Sequence, residues 1–439
     1  MAGSSSRVRT TLRALRHRNF QLFFAGQLIS LIGTWMQNVA QSWLVYRLTG
    51  SSALLGIVGF TGQIPVFLFS PFGGLIADRH SRHRIVIATQ TSAMILALIL
   101  AALTLTGRVQ VWHIFVLAAL LGVVNAFDVP ARQSFLVEMV GRDDLINAIA
   151  LNSSMFNGAR IIGPAVAGVL VAAIGEGWCF FANGVSYIAV IIGLLLMKVT
   201  PPARSMTGSA LRHIIDGFRF AAHTGPIRAL LLLLGLVSIT GMPYAVLMPV
   251  FADQIFHSGA RGLGILMGFS GVGALLGALT LATRQGVQGL GRWVAASCGV
   301  FGGSLVLFSL SRSFWIAAAA LIPVGFAMMT QMGASNTLIQ SMTPDHLRGR
   351  VMSVYSMMFM GMAPVGALLA GVMAQHFGAP FTVAAGGVVA IAGSLVFGFR
   401  LPSLRPEARQ LILAQQMVGG DPAEEVIAQG GAESTPEVN

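Results

Sequence analysis

Long apolar stretches, separated by short polar loops, recur along the whole chain near residues 20–47, 52–77, 85–106, 109–128, 146–172, 178–198, 227–256, 262–283, 292–310, 314–338, 349–376 and 380–399. Each approaches or exceeds the ~20 apolar residues that cross a bilayer as a helix. The pattern therefore predicts an all-α membrane protein with twelve transmembrane helices. Within the first stretch, Gln27, Ser30, Thr34, Gln37 and Gln41 recur at alternating steps of three and four, which places all five on one helical face. Between the sixth and seventh stretches, Pro201-Pro202 stops the helix. Leu211, Ile214, Ile215 and Phe218 then line one face of a further helix, opposite Arg212, Asp216 and Arg219, as in a helix lying on a membrane surface. Residues 401–439 carry Gly, Pro and five Glu with little apolar content, the composition of a disordered tail. The chain so divides into a basic N-terminus (1–19), a six-helix half (20–198), a linker (199–225), a second six-helix half (226–400) and the tail.

Composition agrees: 55% of residues are hydrophobic, 10% are charged and mean hydropathy is +0.77. If the N-terminus is cytoplasmic, 22 of the 27 basic residues fall on the cytoplasmic side, and only Arg47, Arg108, Arg261 and Arg312 fall outside. Lys and Arg concentrate on that side in membrane proteins, so both termini are expected in the cytoplasm. Trp43, Trp112, Trp178 and Trp315 stand at the expected outer helix ends and Trp293 at an inner one, where amphipathic rings settle. The net charge of +12 is spread over many short loops, which fits orientation and contact with anionic lipid and not a nucleic-acid stripe. Cys179 and Cys298 lie within spans six and nine, so neither a disulfide nor a metal site is expected.

The chain also repeats itself. Gly163-Pro164-Ala165-Val166-Ala167-Gly168 has a counterpart in Pro364-Val365-Gly366-Ala367-Leu368-Leu369-Ala370-Gly371, and Gly175 and Gly378 close the two segments alike. Phe60-Thr61-Gly62 is echoed by Phe269-Ser270-Gly271. Two pseudo-symmetric six-helix halves around a midplane site are a common transporter design.

Between the second and third spans lies Gly73-Gly74-Leu75-Ile76-Ala77-Asp78-Arg79-His80-Ser81-Arg82-His83-Arg84. The order Gly, three residues, Asp-Arg, two residues, Arg resembles the signature loop of the major facilitator superfamily, with Ser81 standing where that family usually has glycine. A decayed copy runs from Gly277 through Thr283-Arg284 to Gly291-Arg292 and has lost its aspartate. The run Asp216-Gly217-Phe218-Arg219-Phe220, followed by Pro226-Ile227-Arg228, is similar to the bacterial efflux branch that includes the enterobactin exporter. Gly158, Gly163, Pro164 and Gly168 in the fifth span resemble the glycine-proline motif of antiporter branches. The resemblance, over roughly residues 12–400, implies the major facilitator fold, proton-coupled antiport and a gate at the cytoplasmic face. In that gate Gly74 permits close helix contact, Asp78 sits against the start of the eleventh span near Gly349 to Ser353, and Arg82 pairs with Asp128. Arg79 and Arg132 supply neighbouring charge.

The chemistry lies in the few polar groups inside apolar spans. Arg160 falls roughly 21 Å into a ~30 Å core, near the middle, where a charge usually faces a cavity or a partner. Two roles fit it: attracting an anionic group of a substrate, or a structural guanidinium held by Asn152, Asn157, Asn183 or helix carbonyls. The stripe from Gln27 to Gln41 fits a wet translocation path or polar glue between helices, and its length favours the path. Ten of the 21 methionines fall between residues 328 and 373, which fits either a plastic wall for an apolar substrate or packing filler. Tyr244, Gln331 and Tyr355 complete the candidate substrate-binding set of Arg160, Gln27, Thr34, Gln37 and Gln41. No phosphate-cradling loop, metal cluster or catalytic arrangement is legible, so neither a cofactor nor an enzyme is expected. The expectation is a secondary transporter of the bacterial inner membrane that exports a small amphipathic or anionic compound, siderophore- or drug-like, with protons and lipid as partners and no nucleic acid. A proton-symport importer, and a sensor or scaffold without flux, are the alternatives. Asp128, Asp253 or the substrate itself would carry the proton, since no carboxylate lies at mid-depth.

Overall fold

The computed structural model describes residues 13–141, 143–199, 210–284 and 286–418. Thirteen long helices follow one another: α1 Arg18–Thr49, α2 Ser52–Arg79, α3 Arg82–Leu105, α4 Val111–Val140, α5 Leu145–Ile174, α6 Glu176–Leu195, the linker helix α7 Ala210–His223, α8 Gly225–Ile255, α9 Gly259–Ala282, α10 Leu290–Leu310, α11 Phe314–Met342, α12 Leu347–Phe377 and α13 Ala379–Val418. Eleven of them are long and apolar enough to cross a membrane. The first, α1, has the length, at 32 residues, but its polar stripe dilutes the apolar character. Large apolar side chains face outward, among them Phe399 at 82% exposure and Leu310 at 67%, as hydrocarbon surroundings allow.

Local signals end the helices where the chain turns. Gly50 closes α1 at φ +62 with its N–H on Tyr46 O, and Ser51 accepts from Leu54 N to start α2. Gly175 and Gly378 turn the chain at φ +87 and +86, so the two repeats end α5 and α12 with the same left-handed residue. The halves pack alike: α1 on α5 and α6, α2 on α4, and α3 on α4 and α6 are matched by α8 on α12 and α13, α9 on α11, and α10 on α11 and α13. The halves meet along two equivalent seams, α5 with α9 and α2 with α12.

Two boundaries differ from those expected. The fourth span does not stop at residue 128 but runs to Val140 through Pro130, because the residues beyond it pack Ala131, Phe135, Leu136 and Met139 into the first half. The tail is not disordered from residue 401: α13 continues to Val418, with Leu401, Leu404, Leu411 and Ile412 against the core and the Glu407 carboxylate accepting from Gly225 N at 3.2 Å. The linker helix is present and packs Gly217 against the Arg350 carbonyl at the start of α12. The side chains of Leu211, Ile214, Ile215, Arg212 and Asp216, like residues 1–12 and 419–439, lie outside the described residues. The start of α1, the linker helix and the helix after residue 400 share one end of the bundle, called here the near end.

Candidate functional site

The helix α8 breaks at its middle. Gly225–Thr240 stops at Gly241, Pro243 has no N–H to continue the ladder, and the helix restarts at Tyr244. Phe301 fills the space where a side chain at Gly241 would sit, and Gly366 of α12 packs against Ile239 and Pro243, so the break is held from two sides. It opens a cavity of about 270 Å³ between the halves. The first half supplies Trp35, Gln63, Arg160 and Pro164; the second supplies residues 242–246 and Met248, with Met267, Ser270, Ala363 and Ala367.

Arg160 is the charged residue lining this space. Its Cζ stands 5.7 Å from the Trp35 ring centroid, and its Nη2 is 3.8 Å from Met328 Sδ, across the interface between halves. Trp35 is itself held edge-on by Phe156 at 5.6 Å, and Gly163 lets α5 approach the Trp35 Cβ. A cation over an indole face is stabilised by the ring quadrupole without being neutralised. Two of the asparagines expected to hold it bond elsewhere: Asn157 Nδ2 donates to Ser153 O at 2.9 Å and Asn183 Nδ2 to Gln37 Oε1 at 2.7 Å. Among the described residues no carboxylate lines the cavity. Tyr244, 5% exposed, shares a 2.8 Å hydrogen bond with Ser270 and lies edge-on to Phe301.

Other expected contacts fall elsewhere. The α1 stripe turns to α6 and not to the cavity: Gln37 bonds Asn183, Thr34 Oγ1 donates to Ser30 O and lies 3.5 Å from the Tyr187 hydroxyl, and Gln27 and Ser30 are 2% and 1% exposed. Gly26 and Gly33 cause this by letting α6 close onto that face. Gln41 is half-buried and outside the cavity lining. Gln331 is 1% exposed with Nε2 unbonded, and the Tyr355 hydroxyl donates to Met332 O at 3.1 Å, tying α12 to α11. The methionines of the cavity wall are Met242, Met248 and Met267, outside the cluster at 328–373, with Met328 touching Arg160. Gly241-Met242-Pro243 is a helix-breaking signal within an apolar run and marks this segment in the sequence.

The expected Arg82–Asp128 pair is not formed. Arg82 Nη1 lies 2.9 Å from Glu138 Oε1 and its Nη2 3.6 Å from Asp78 Oδ1. Asp128, buried by the extension of α4, is bridged by Arg132 at 3.1 Å and accepts from Thr89 at 2.7 Å and Gln90 at 2.9 Å. Because α4 continues past residue 128, Glu138 reaches the α2–α3 turn in place of Asp128. Asp78 is 65% exposed at its side chain and, among the described residues, forms its ion pair with Arg82 and none with α12, and Arg79 is exposed. Gly73, not Gly74, is the glycine in contact, against Ala126.

At the far end the halves are joined. Gly168 meets Gly264, Gly56 meets Gly371, and Gln375 Oε1 accepts from Ser51 Oγ at 3.0 Å and Ser52 Oγ at 3.3 Å. Gly158, by contrast, has open space at its Cβ position. The molecule thus holds a central cavity sealed on the far side, with the near-end aspartate undocked.

A family model described as Transmembrane secretion effector matches residues 9–430. The chain is 29% identical over 381 residues to the staphyloferrin A transporter of Staphylococcus aureus, covering 86% of this chain and 95% of that protein. It is 26% identical to the multidrug efflux pump Tap of Mycolicibacterium fortuitum (79% and 87% covered) and 25% identical to the enterobactin exporter EntS of Escherichia coli (90% and 93% covered). Among solved structures, the nucleoside transporter NupG superposes with a TM-score of 0.71 at 13% identity over 88% of this chain and 98% of that one. A bacterial homologue of the lysosomal transporter Spinster superposes with a TM-score of 0.64 at 15% identity, covering 90% and 97%.

Proposed function

We propose, for a chain that belongs to the transmembrane secretion effector family of the major facilitator superfamily, that it exports a small amphipathic compound bearing an anionic group by alternating access between its two halves. The observation that carries this reading is Arg160, a guanidinium on the wall of the inter-half cavity with an aromatic face and a thioether beside it and, among the described residues, no carboxylate on that wall. A buried cation in that position is costly unless an anion joins it, so its placement favours an anionic cargo. Met242, Met248 and Met267 give the opposite wall an adaptable apolar surface for the rest of the molecule. Relatives named for staphyloferrin A, enterobactin and multidrug efflux support a siderophore- or drug-like substrate.

The remaining parts of the proposal are a multi-pass protein of a bacterial inner membrane with both termini cytoplasmic, and a proton gradient as the energy source. Asp128, Asp253 or the acid of the substrate carries the proton, since none of the cavity-lining side chains is a carboxylate. The near-end gate closes when Asp78 docks on α12 and the halves rock apart at the far end. The test is flux in oriented proteoliposomes under an imposed pH gradient, with an anionic siderophore and a neutral lipophilic drug as probes. Arg160→Ala should raise the KM for the anionic probe roughly 10- to 150-fold, the equivalent of a charge-assisted hydrogen bond of about 1.5–3 kcal/mol, and leave the neutral probe much less affected. Unchanged transport of the anion by a variant present at parental level refutes the assignment.

A further inference from the structure

A second cavity, of about 260 Å³, lies at the near end between the start of α1 and the end of α6, lined by His17, Arg18, Asn19, Met139, Leu196 and Lys198. We infer that it binds the headgroup of an anionic phospholipid. Its two rims are fixed to one another: Asn19 Nδ2 donates to Lys198 O at 2.9 Å, and Lys198 N donates to Asn19 Oδ1 at 3.3 Å. Arg18, next to Asn19, and Lys198 both line the space that this clasp closes off. The neighbouring turn offers Asp143 and Asp144, and Asp144 is already engaged by His17 Nε2 at 2.9 Å and Arg13 Nε at 3.7 Å. Among the described residues neither Arg18 nor Lys198 forms a salt bridge.

A phosphate-bearing anion satisfies both cations, and the apolar half of the site selects a lipid over a free ion. The floor is Met139, 4% exposed. From the mouth, Ile192, Leu195 and Leu196 run along α6 at helical spacing with 51%, 64% and 53% exposure, a continuous apolar track for an acyl chain. The site also sits where a 20-residue membrane helix ends, the level at which phosphates lie. Free phosphate would use the cations and leave the track idle.

The experiment is native mass spectrometry of the full chain, purified in detergent and offered phosphatidylglycerol and phosphatidylcholine of equal chain length. The parent should retain phosphatidylglycerol preferentially, and the double variant Arg18→Gln/Lys198→Gln should lose roughly fivefold in retention per charge removed, about 25-fold in all. Leu196→Glu, at an exposed position where folding is not at stake, should produce a loss of the same kind. Arg405→Gln, an exposed cation elsewhere at the near end, should change nothing. Retention by both cavity variants at parental level, equal retention of phosphatidylcholine, or displacement of the lipid by inorganic phosphate at matched concentration would each overturn the assignment.

Discussion

Gly168 and Gly158 belong to one sequence motif in α5, and the same substitution should have opposite effects at the two. A methyl at Gly168 would stand 2.8 Å from Gly264 Cα and 3.2 Å from the carbonyls of Ala260 and Arg261, all backbone that cannot rotate away. A methyl at Gly158 meets nothing within 4 Å. Gly168→Ala therefore forces α5 and α9 apart by a few tenths of an ångström or more at the far-end seam, and overpacking of this kind costs about 1–3 kcal/mol. The cost falls on the state in which the far end is sealed and is relieved when the halves part there. By population arithmetic it shifts the balance toward the far-end-open state roughly 5- to 150-fold. Gly158→Ala should leave that balance alone and stabilise α5 by about 0.5–1 kcal/mol through lost backbone freedom. The assay is a spin-label distance between Arg108→Cys and Arg312→Cys, exposed loop positions in opposite halves, with the buried free thiols Cys179 and Cys298 first replaced. Gly168→Ala should add a longer distance to the distribution. If the Gly168→Ala and parental distributions coincide, or Gly158→Ala shifts them equally, the glycine seam is not what seals the far end.

Two further outcomes follow from the corrected contacts. Gln37→Leu, which strands the Asn183 amide of α6 against α1, should lower thermal stability by about 0.6–1.7 kcal/mol without altering substrate KM, as measured by melting and by flux; a raised KM with unchanged melting would restore the stripe to the translocation path. Glu138→Gln, removing the largely buried partner of Arg82, should cost about 1–3 kcal/mol in melting, while Asp78→Asn stays within about 0.5 kcal/mol because its side chain is 65% exposed; equal losses would mean that Asp78 carries the near-end network.

Much of the molecule is legible in the chain itself. Apolar length and turn residues mark the helices, because a bilayer tolerates only segments that satisfy their own backbone. The repeat from Gly163 to Gly168 and from Pro364 to Gly371 announces two equivalent halves, and the matched left-handed turns at Gly175 and Gly378 bear it out. Arg160 is identifiable at mid-depth by counting residues, since rise per residue is fixed. Periodicity, however, defines a helix face and not the neighbour it meets. The spacing puts the α1 stripe on one face, yet Gly26 and Gly33 admit α6 to that side of the helix, and Trp35 reaches the cavity instead. Ion-pair partners depend on where helices stop and at what height they cross. The continuation of α4 through Pro130 buries Asp128 among Thr89, Gln90 and Arg132 and hands Arg82 to Glu138. The helix after residue 400 is held by Glu407 on Gly225 and by Leu401 on Gly291 of α10, contacts between residues far apart in the chain that no local composition reveals. Sequence thus determined the elements, their duplication and the position of Arg160 along its helix, because these follow from length and spacing along a single helix. Which faces meet, which charges pair and which methionines line the cavity were decided only by the three-dimensional crossing of helices at their glycines.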